Sequence, residues 1–251
     1  MKISELKGQD IKARRVDWYY KKRDVAEDYI KGRFSNPLGR YHHKKQINFI
    51  NRIIKEYKIR RVLDLACGPA RIGADLKGFG EAYGVDASNE MLNIAKKRTR
   101  KWKFFKRSAF NLKFKPEYFD LIVSLRFIRH LKKDRRCKVY KQIWKVLKKK
   151  GLFILDAVNY DKDYYIRRRK GFHKYKVYDE LYKKSELIKE LEENGFKVIE
   201  IENVFNNIYL STAISKIFFT LRLNEFGSKI INLVDKIKTK NPLEWIVLCQ
   251  K

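Results

Sequence analysis

A short apolar run that ends in a turn of small residues constrains this chain more than any other feature. Residues 61–66 read Arg-Val-Leu-Asp-Leu-Ala, and Cys67, Gly68, Pro69, Ala70 and Arg71 follow. An apolar run this short, closed by a small-residue turn, predicts a buried strand that feeds a helix. The same unit then recurs. Strands are predicted over 81–86, 102–109, 119–125, 151–158, 197–204 and 244–251. Helical spacing separates them: Ser88 is placed as an N-cap before Met91, Leu92 and Ala95, and residues 132–147 carry Val139, Ile143, Val146 and Leu147 at core spacing. A further helix runs from Ser185 to Asn194, with Asn194-Gly195 closing it, and Gly151 is read as the way into the fifth strand.

Strands that are apolar on both faces, alternating with helices, predict an α/β fold with a seven-stranded, mostly parallel sheet covered on both sides. The last strand follows its predecessor without a βαβ period, so it is predicted to insert antiparallel. The reading is one domain spanning 1–251: a cover over 1–60, a core sheet over 61–204, a helical insertion over 205–240 and a last strand over 244–251. The cover holds a helix from about Arg40 to Tyr57, with Ile47, Ile50, Ile53 and Ile54 inward. The insertion holds helical patterns at Ile208–Leu223 and Ser228–Lys238. Phe218, Phe219, Leu221 and Leu223 are expected as pocket wall or as core.

Charge adds a second constraint. Sixty Lys+Arg against 29 Asp+Glu give a net charge of +31. That points either to a polyanionic partner or to charge spread over solvated faces. Cys67, Cys137 and Cys249 have no zinc or disulfide spacing, so no metal is expected and a reducing, cytoplasmic setting fits. The first 15 residues lack an apolar core of a leader, and no run of 18 apolar residues marks a membrane span.

The chemistry gathers at strand ends. A tight turn lets a ligand approach the backbone after the first strand. It is neither a G-x-G-x-x-G fingerprint nor a Walker loop. Asp86 ends the second strand, 22 residues past Asp64. An acid there can hold a ribose hydroxyl pair, so the turn and the two acids predict a nucleoside-binding crevice.

With these residues in place the chain resembles the class I S-adenosylmethionine-dependent methyltransferases, specifically the small-molecule, ubiquinone/menaquinone-type superfamily. VLDLACGPAR looks like the first motif, GVDASNEML the second, FDLIVSLRFIRHL the fourth-strand motif, LKKKGLFIL the approach to strand five, and ELIKELEENGFKVIEI the late helix–strand unit. The resemblance covers roughly 61–204 and the last strand. It implies a Rossmann-like fold and S-adenosyl-L-methionine as cofactor. By resemblance Asp64, with Ala66, Cys67 and Gly68 in the turn, would hold the methionine end; Asp86 would hold the ribose, and Ala87 and Met91 would flank the adenine. Ser108, Ala109 and Phe110 would lie near the adenine edge. Ser124 and Leu125 would face the sulfonium, with Arg126 toward the acceptor. Arg40, in a loop like those that fold over the cofactor in some relatives, would pair with the methionine carboxylate. The chain departs from the pattern at Ala66 and Ala70, where glycine is common, and at Ser108, where many members have Asp.

Methyl transfer needs a general base only if the acceptor must lose a proton. The catalytic candidates are Arg126, His130 and Tyr160, with Tyr20 and Asp156 as further bases. Cys67 also reads as small filler, and His42-His43 as a basic helix face. The aromatics Tyr160, Tyr164, Tyr165, Phe172, Tyr175 and Tyr178 fit an acceptor pocket or packing under a loop. Three functions remain open: transfer to a small-molecule or lipid-like acceptor, transfer to RNA using the basic surface, and a binding protein that has lost catalysis. RNA base-amine and pyrimidine C5 chemistry are disfavoured, because Ser124-Leu125-Arg126-Phe127 is no Asn/Asp-Pro-Pro-aromatic turn and Cys137 falls inside a helix.

Overall fold

The computed structural model describes residues 32–175 and 177–251. Residues 1–31, which include Tyr20 and most of the expected cover, lie outside them. The strands β1 (Arg61–Leu65), β2 (Glu81–Asp86), β3 (Trp102–Lys106), β4 (Phe119–Ser124) and β5 (Leu147–Asn159) are parallel neighbours in the order β3-β2-β1-β4-β5. β8 (Glu244–Gln250) enters antiparallel between β5 and β7 (Lys197–Val204), as the sequence predicts. A two-residue strand, β6 (Leu181–Tyr182), pairs with the end of β5 and carries no sequence signal.

Both sheet faces are apolar, and that is why the strands show no alternation. Val62, Leu121, Leu152, Ile154 and Leu248 point into one core, while Leu63, Ile122, Phe153, Leu155 and Val247 point into the other. The first core is closed by α1 (Pro37–Glu56), whose Ile50, Ile53 and Ile54 are buried. The second is closed by α3 (Lys133–Val146) and α5 (Lys184–Glu193) through Val139, Ile143, Leu187 and Leu191. Helix α2 (Asn89–Arg98) starts where Ser88 Oγ accepts the Met91 N–H at 3.2 Å, so the expected N-cap is present.

Two expectations are corrected here. Residues 66–75 form consecutive turns rather than a helix, through bonds such as Ala70 N–H to the Cys67 carbonyl and Ala74 N–H to the Ala70 carbonyl. Two closely spaced left-handed residues, Gly68 and Ala70, prevent a regular helix there. And β5 begins at Leu147, before Gly151, because α3 passes into the strand through its own C-cap residue.

Helix α4 (Tyr160–Lys170) follows β5, and the insertion forms α6 (Ile208–Thr220) and α7 (Asn224–Val234). These last two pack on α1. Tyr41 donates to Asp235, and Ser215 Oγ accepts the Leu38 N–H at 3.2 Å. Gly227 permits the α6–α7 crossing, since a Cβ there would sit 2.5 Å from Phe218 Cβ. Among the described residues no helix is long and apolar enough to cross a membrane.

Candidate functional site

The strand order reverses at β1, between β2 and β4, and parallel sheets open a crevice at the carboxyl ends of such strands. Asp64 lies one residue from the end of β1, Asp86 ends β2 and Ser124 ends β4. The turn after β1 takes left-handed backbone at Ala66, Gly68 and Ala70, with φ of 59°, 54° and 54°. Glycine adopts this freely and alanine does so at a cost of about 1 kcal/mol or more per residue. The turn is held by Cys67 N–H to the Val85 carbonyl at 3.0 Å.

Asp86 is the hub of this turn. Its Oδ2 accepts the Gly68 N–H at 2.8 Å and its Oδ1 accepts the Ser88 N–H at 2.9 Å. Burial pushes its pKa up, while the backbone donors of Ser88, Gly68 and Ala87 pull it down. Ala87 and Met91 follow at once, and a Cβ on Gly68 would meet nothing nearer than Met91 Sδ at 4.0 Å. The space above Gly68 is therefore open.

Asp64 is almost fully buried, and its Oδ2 has no hydrogen-bond partner. Burial raises its pKa to about 7; Arg71 works against that and Asp86 adds to it. A buried carboxylate oxygen without a partner costs stability unless a donor or cation completes it. The amino group of a methionine moiety is such a donor, so the donor set fits S-adenosylmethionine.

The cation beside Asp64 is Arg71, the last residue of the first motif. Its guanidinium contacts His43 Nδ1 at 2.9 Å and lies 4.3 Å from the Phe34 ring centre. Burial and Arg71 lower the His43 pKa. Arg126 lies 6.0 Å from the other side of the crevice to the same ring. Phe34, in a short helical turn just before α1 where a loop was expected, thus bridges the loop after β1 and the loop after β4. Arg40 sits elsewhere: its Nε donates to the Ser35 carbonyl at 2.8 Å, and it approaches Glu225 of α7 at 3.9 Å.

The remaining expected residues divide between the crevice and its supports. Cys67 Sγ seats over Gly84, where a Cβ would come within 3.1 Å of it, and burial pushes its thiol well up. That is the environment of a neutral filler. Ser124 Oγ donates to the Leu65 carbonyl at 3.1 Å, tying β4 to β1, and Leu125 is buried beside it. Ser108 Oγ accepts the Phe110 N–H at 3.2 Å, while Arg135 stacks 4.7 Å over Phe110. Ala109 and Phe110 pack against the second core.

Among the catalytic candidates, His130 is buried: its Nδ1 reaches Asp179 at 2.9 Å and the Tyr178 carbonyl at 2.8 Å. Asp156 accepts the Arg126 N–H at 2.6 Å. Tyr160 stacks on Tyr164 at 5.0 Å, and Tyr164 touches Tyr165 and Phe172, so much of the tyrosine cluster packs on itself. Sequence reading missed the ion network beneath. Arg129 pairs with Glu244 at 3.0 Å and Asp156 at 3.2 Å, both buried, and with the largely buried Asp179 at 3.3 Å. Glu244 also pairs with His42 at 2.8 Å, and Arg167 joins Asp163 to Asp179. Apart from Asp163 and Arg167, four residues apart on α4, no residue spacing links these positions. Among the described residues no His/Cys/Asp/Glu group could hold a metal.

Fold and crevice define the class first: a doubly wound α/β protein with paired acids at the switch point. Residues 62–151 match the family model described as a methyltransferase domain. An uncharacterized protein of Methanocaldococcus jannaschii is 27% identical over 87% of this chain and 93% of its own. The demethylmenaquinone methyltransferase of Thermotoga maritima is 36% identical, over 41% of this chain and 45% of that one. The crystal structure of magnesium protoporphyrin IX methyltransferase from Synechocystis, with bound SAH, shares the fold with a TM-score of 0.60, 13% identity and 86% and 85% coverage. Residues 62–151 are thus similar to methyltransferase domains, and the chain shares the fold of the methyltransferase structure.

Proposed function

We propose that the protein transfers a methyl group from S-adenosylmethionine to a small-molecule or lipid-like acceptor, and that 1–251 acts as one domain. The observation that carries this is the partnerless, buried Oδ2 of Asp64 beside Asp86 and the open space over Gly68. When bound, the cofactor supplies an electrophilic methyl on a sulfonium with a good leaving group. Asp64 accepts from the methionine amino group and Asp86 holds the ribose hydroxyls. Ala66, Cys67 and Gly68 form the floor of the turn. Ala87, Met91, Ser108, Ala109 and Phe110 border the adenine, and Ser124, Leu125 and Arg126 face the acceptor side. Phe34 covers the crevice between Arg71 and Arg126 and keeps water out. His130 and Asp156, being buried and paired, serve as supports rather than bases.

A small acceptor is favoured over RNA by where the charge lies. Exposed lysines occur on α3 (Lys138, Lys141, Lys145) and α5 (Lys184, Lys189), and on α7 (Lys229) over the opposite sheet face. These lysines thus lie over both faces of the sheet. Arg167, in one of the densest basic runs, is buried among carboxylates.

Calorimetric titration with S-adenosylmethionine and its demethylated product tests the reading. Wild type is expected to bind in the micromolar range, and Asp86→Ala at least about tenfold more weakly, the loss of a charge-assisted hydrogen-bond pair. Absence of binding to folded wild type, or equal binding by Asp86→Ala, overturns it.

A further inference from the structure

The α6–α7 hairpin is built inside out. Toward α1 and the core it turns small residues, with Ser211, Ser215, Gly227 and Ser228 buried. Ile208 and Ile231 anchor it in the core, but many of its other large apolar side chains face solvent. Tyr209, Leu210 and Ile217 on α6, and Phe226, Leu233 and Ile237 on and just beyond α7, are each 52–66% exposed. Phe219 at the end of α6, and Leu221 and Leu223 at the connection, are at least half exposed too. The outward positions recur at helical spacing along each element, which makes stripes rather than scattered single residues. Monomeric proteins rarely leave such a contiguous surface without a partner.

The charges beside these stripes indicate the partner's chemistry. Lys216, Arg222, Lys229, Lys236, Lys238 and Lys240 are exposed within or next to them. The segment's acids are engaged elsewhere: Glu225 pairs with Lys44 at 2.7 Å, and Asp235 is buried against Tyr41 and Asn206. The patch continues onto α4, where Lys162 lies 4.7 Å over the Tyr209 ring and Arg168, Arg169 and Lys170 are exposed. Protein interfaces deplete lysine from their cores. Helices that lie in a bilayer interface combine Phe, Leu and Ile with flanking Lys and Arg.

We propose that the α6–α7 hairpin docks the protein on an anionic lipid surface, its apolar tip entering the headgroup–acyl boundary and its lysines meeting lipid phosphates. This does not rest on the acceptor proposed above, and cofactor binding is read separately from it. The test is flotation of the full chain with phosphatidylcholine vesicles, with and without phosphatidylglycerol. Wild type is expected to float with the anionic vesicles and at least about tenfold less with neutral ones. The triple variant Leu221→Ser, Leu223→Ser, Phe226→Ser should lose that binding by a similar factor while keeping its thermal midpoint, since these side chains are largely outside the core. A charge-reversal variant, Lys216→Glu with Arg222→Glu and Lys229→Glu, gives a second reading should the first misfold. Failure of wild type to float, or equal flotation by both variants, overturns the proposal. So does a dimer in solution that the triple variant dissolves without any vesicle binding.

Discussion

Asp64 shows how a single residue can weaken a fold and serve a ligand. Its carboxyl titrates near about 7 because burial penalises the anion, whereas in the unfolded chain it titrates in the ordinary range. A raised folded pKa means that the folded state holds the extra proton. The stabilisation it gives is complete below the unfolded pKa and is lost as pH rises through about 7. Asp64→Asn should therefore raise the melting midpoint at about pH 8 and change it little at about pH 5. The same variant should bind S-adenosylmethionine far more weakly, because an amide cannot pair with the ammonium. Binding by wild type should release a proton near neutral pH, read as calorimetric heats that depend on buffer ionisation. A midpoint that does not move at high pH would show that Asp64 carries no buried charge.

At the scale of the element, small residues decide where helices meet. A Cβ on Gly227 would sit 2.5 Å from Phe218 Cβ and 3.1 Å from Pro37 Cβ. Gly227→Val should lower unfolding free energy by about 1–3 kcal/mol, as overpacking does, measured by chemical denaturation. If stability is unchanged, the α6–α7 crossing is looser than this packing implies. The turn after β1 makes the complementary point. Left-handed backbone at Gly68 and Ala70 breaks the helix expected there. Hydrogen-bonded turns then carry the chain to β2.

Over the whole molecule, buried charge joins parts far apart in the chain. The network from His42 through Glu244 and Arg129 to Asp156, Asp179 and Arg167 spans α1, β8, the loop after β4, β5 and α4. Burial works to raise the Glu244 and Asp179 carboxyls, but His42 and Arg129 hold the first, and His130 and Arg129 the second, well below the usual range. Depressed carboxyls contribute stability that is present above their unfolded pKa and lost as pH falls below it. Arg129→Met should cost about 3–5 kcal/mol, since three carboxylates lose their shared cation. It should also flatten the acid limb of the stability profile, followed by circular dichroism against pH. A loss below 1 kcal/mol would mean that the carboxylates find other partners.

Sequence alone determined the parts that depend on local order. The apolar, non-alternating strands specify a sheet buried on both faces, and Ser88 and Asn194-Gly195 mark helix ends, because periodicity and capping act within a few residues. Asp64, Gly68 and Asp86 stand at the carboxyl ends of β1 and β2 and in the turn between, positions the sequence marks because they depend on local order. Tertiary structure alone decided what depends on residues distant in the chain. It put Arg71, rather than Arg40, beside Asp64. It buried His130 in an ion network, left Phe219, Leu221 and Leu223 exposed, and set exposed lysines of α3 and α7 over opposite faces of the sheet. Composition and spacing record which side chains a chain owns, while burial and pairing are set by the elements that fold against them.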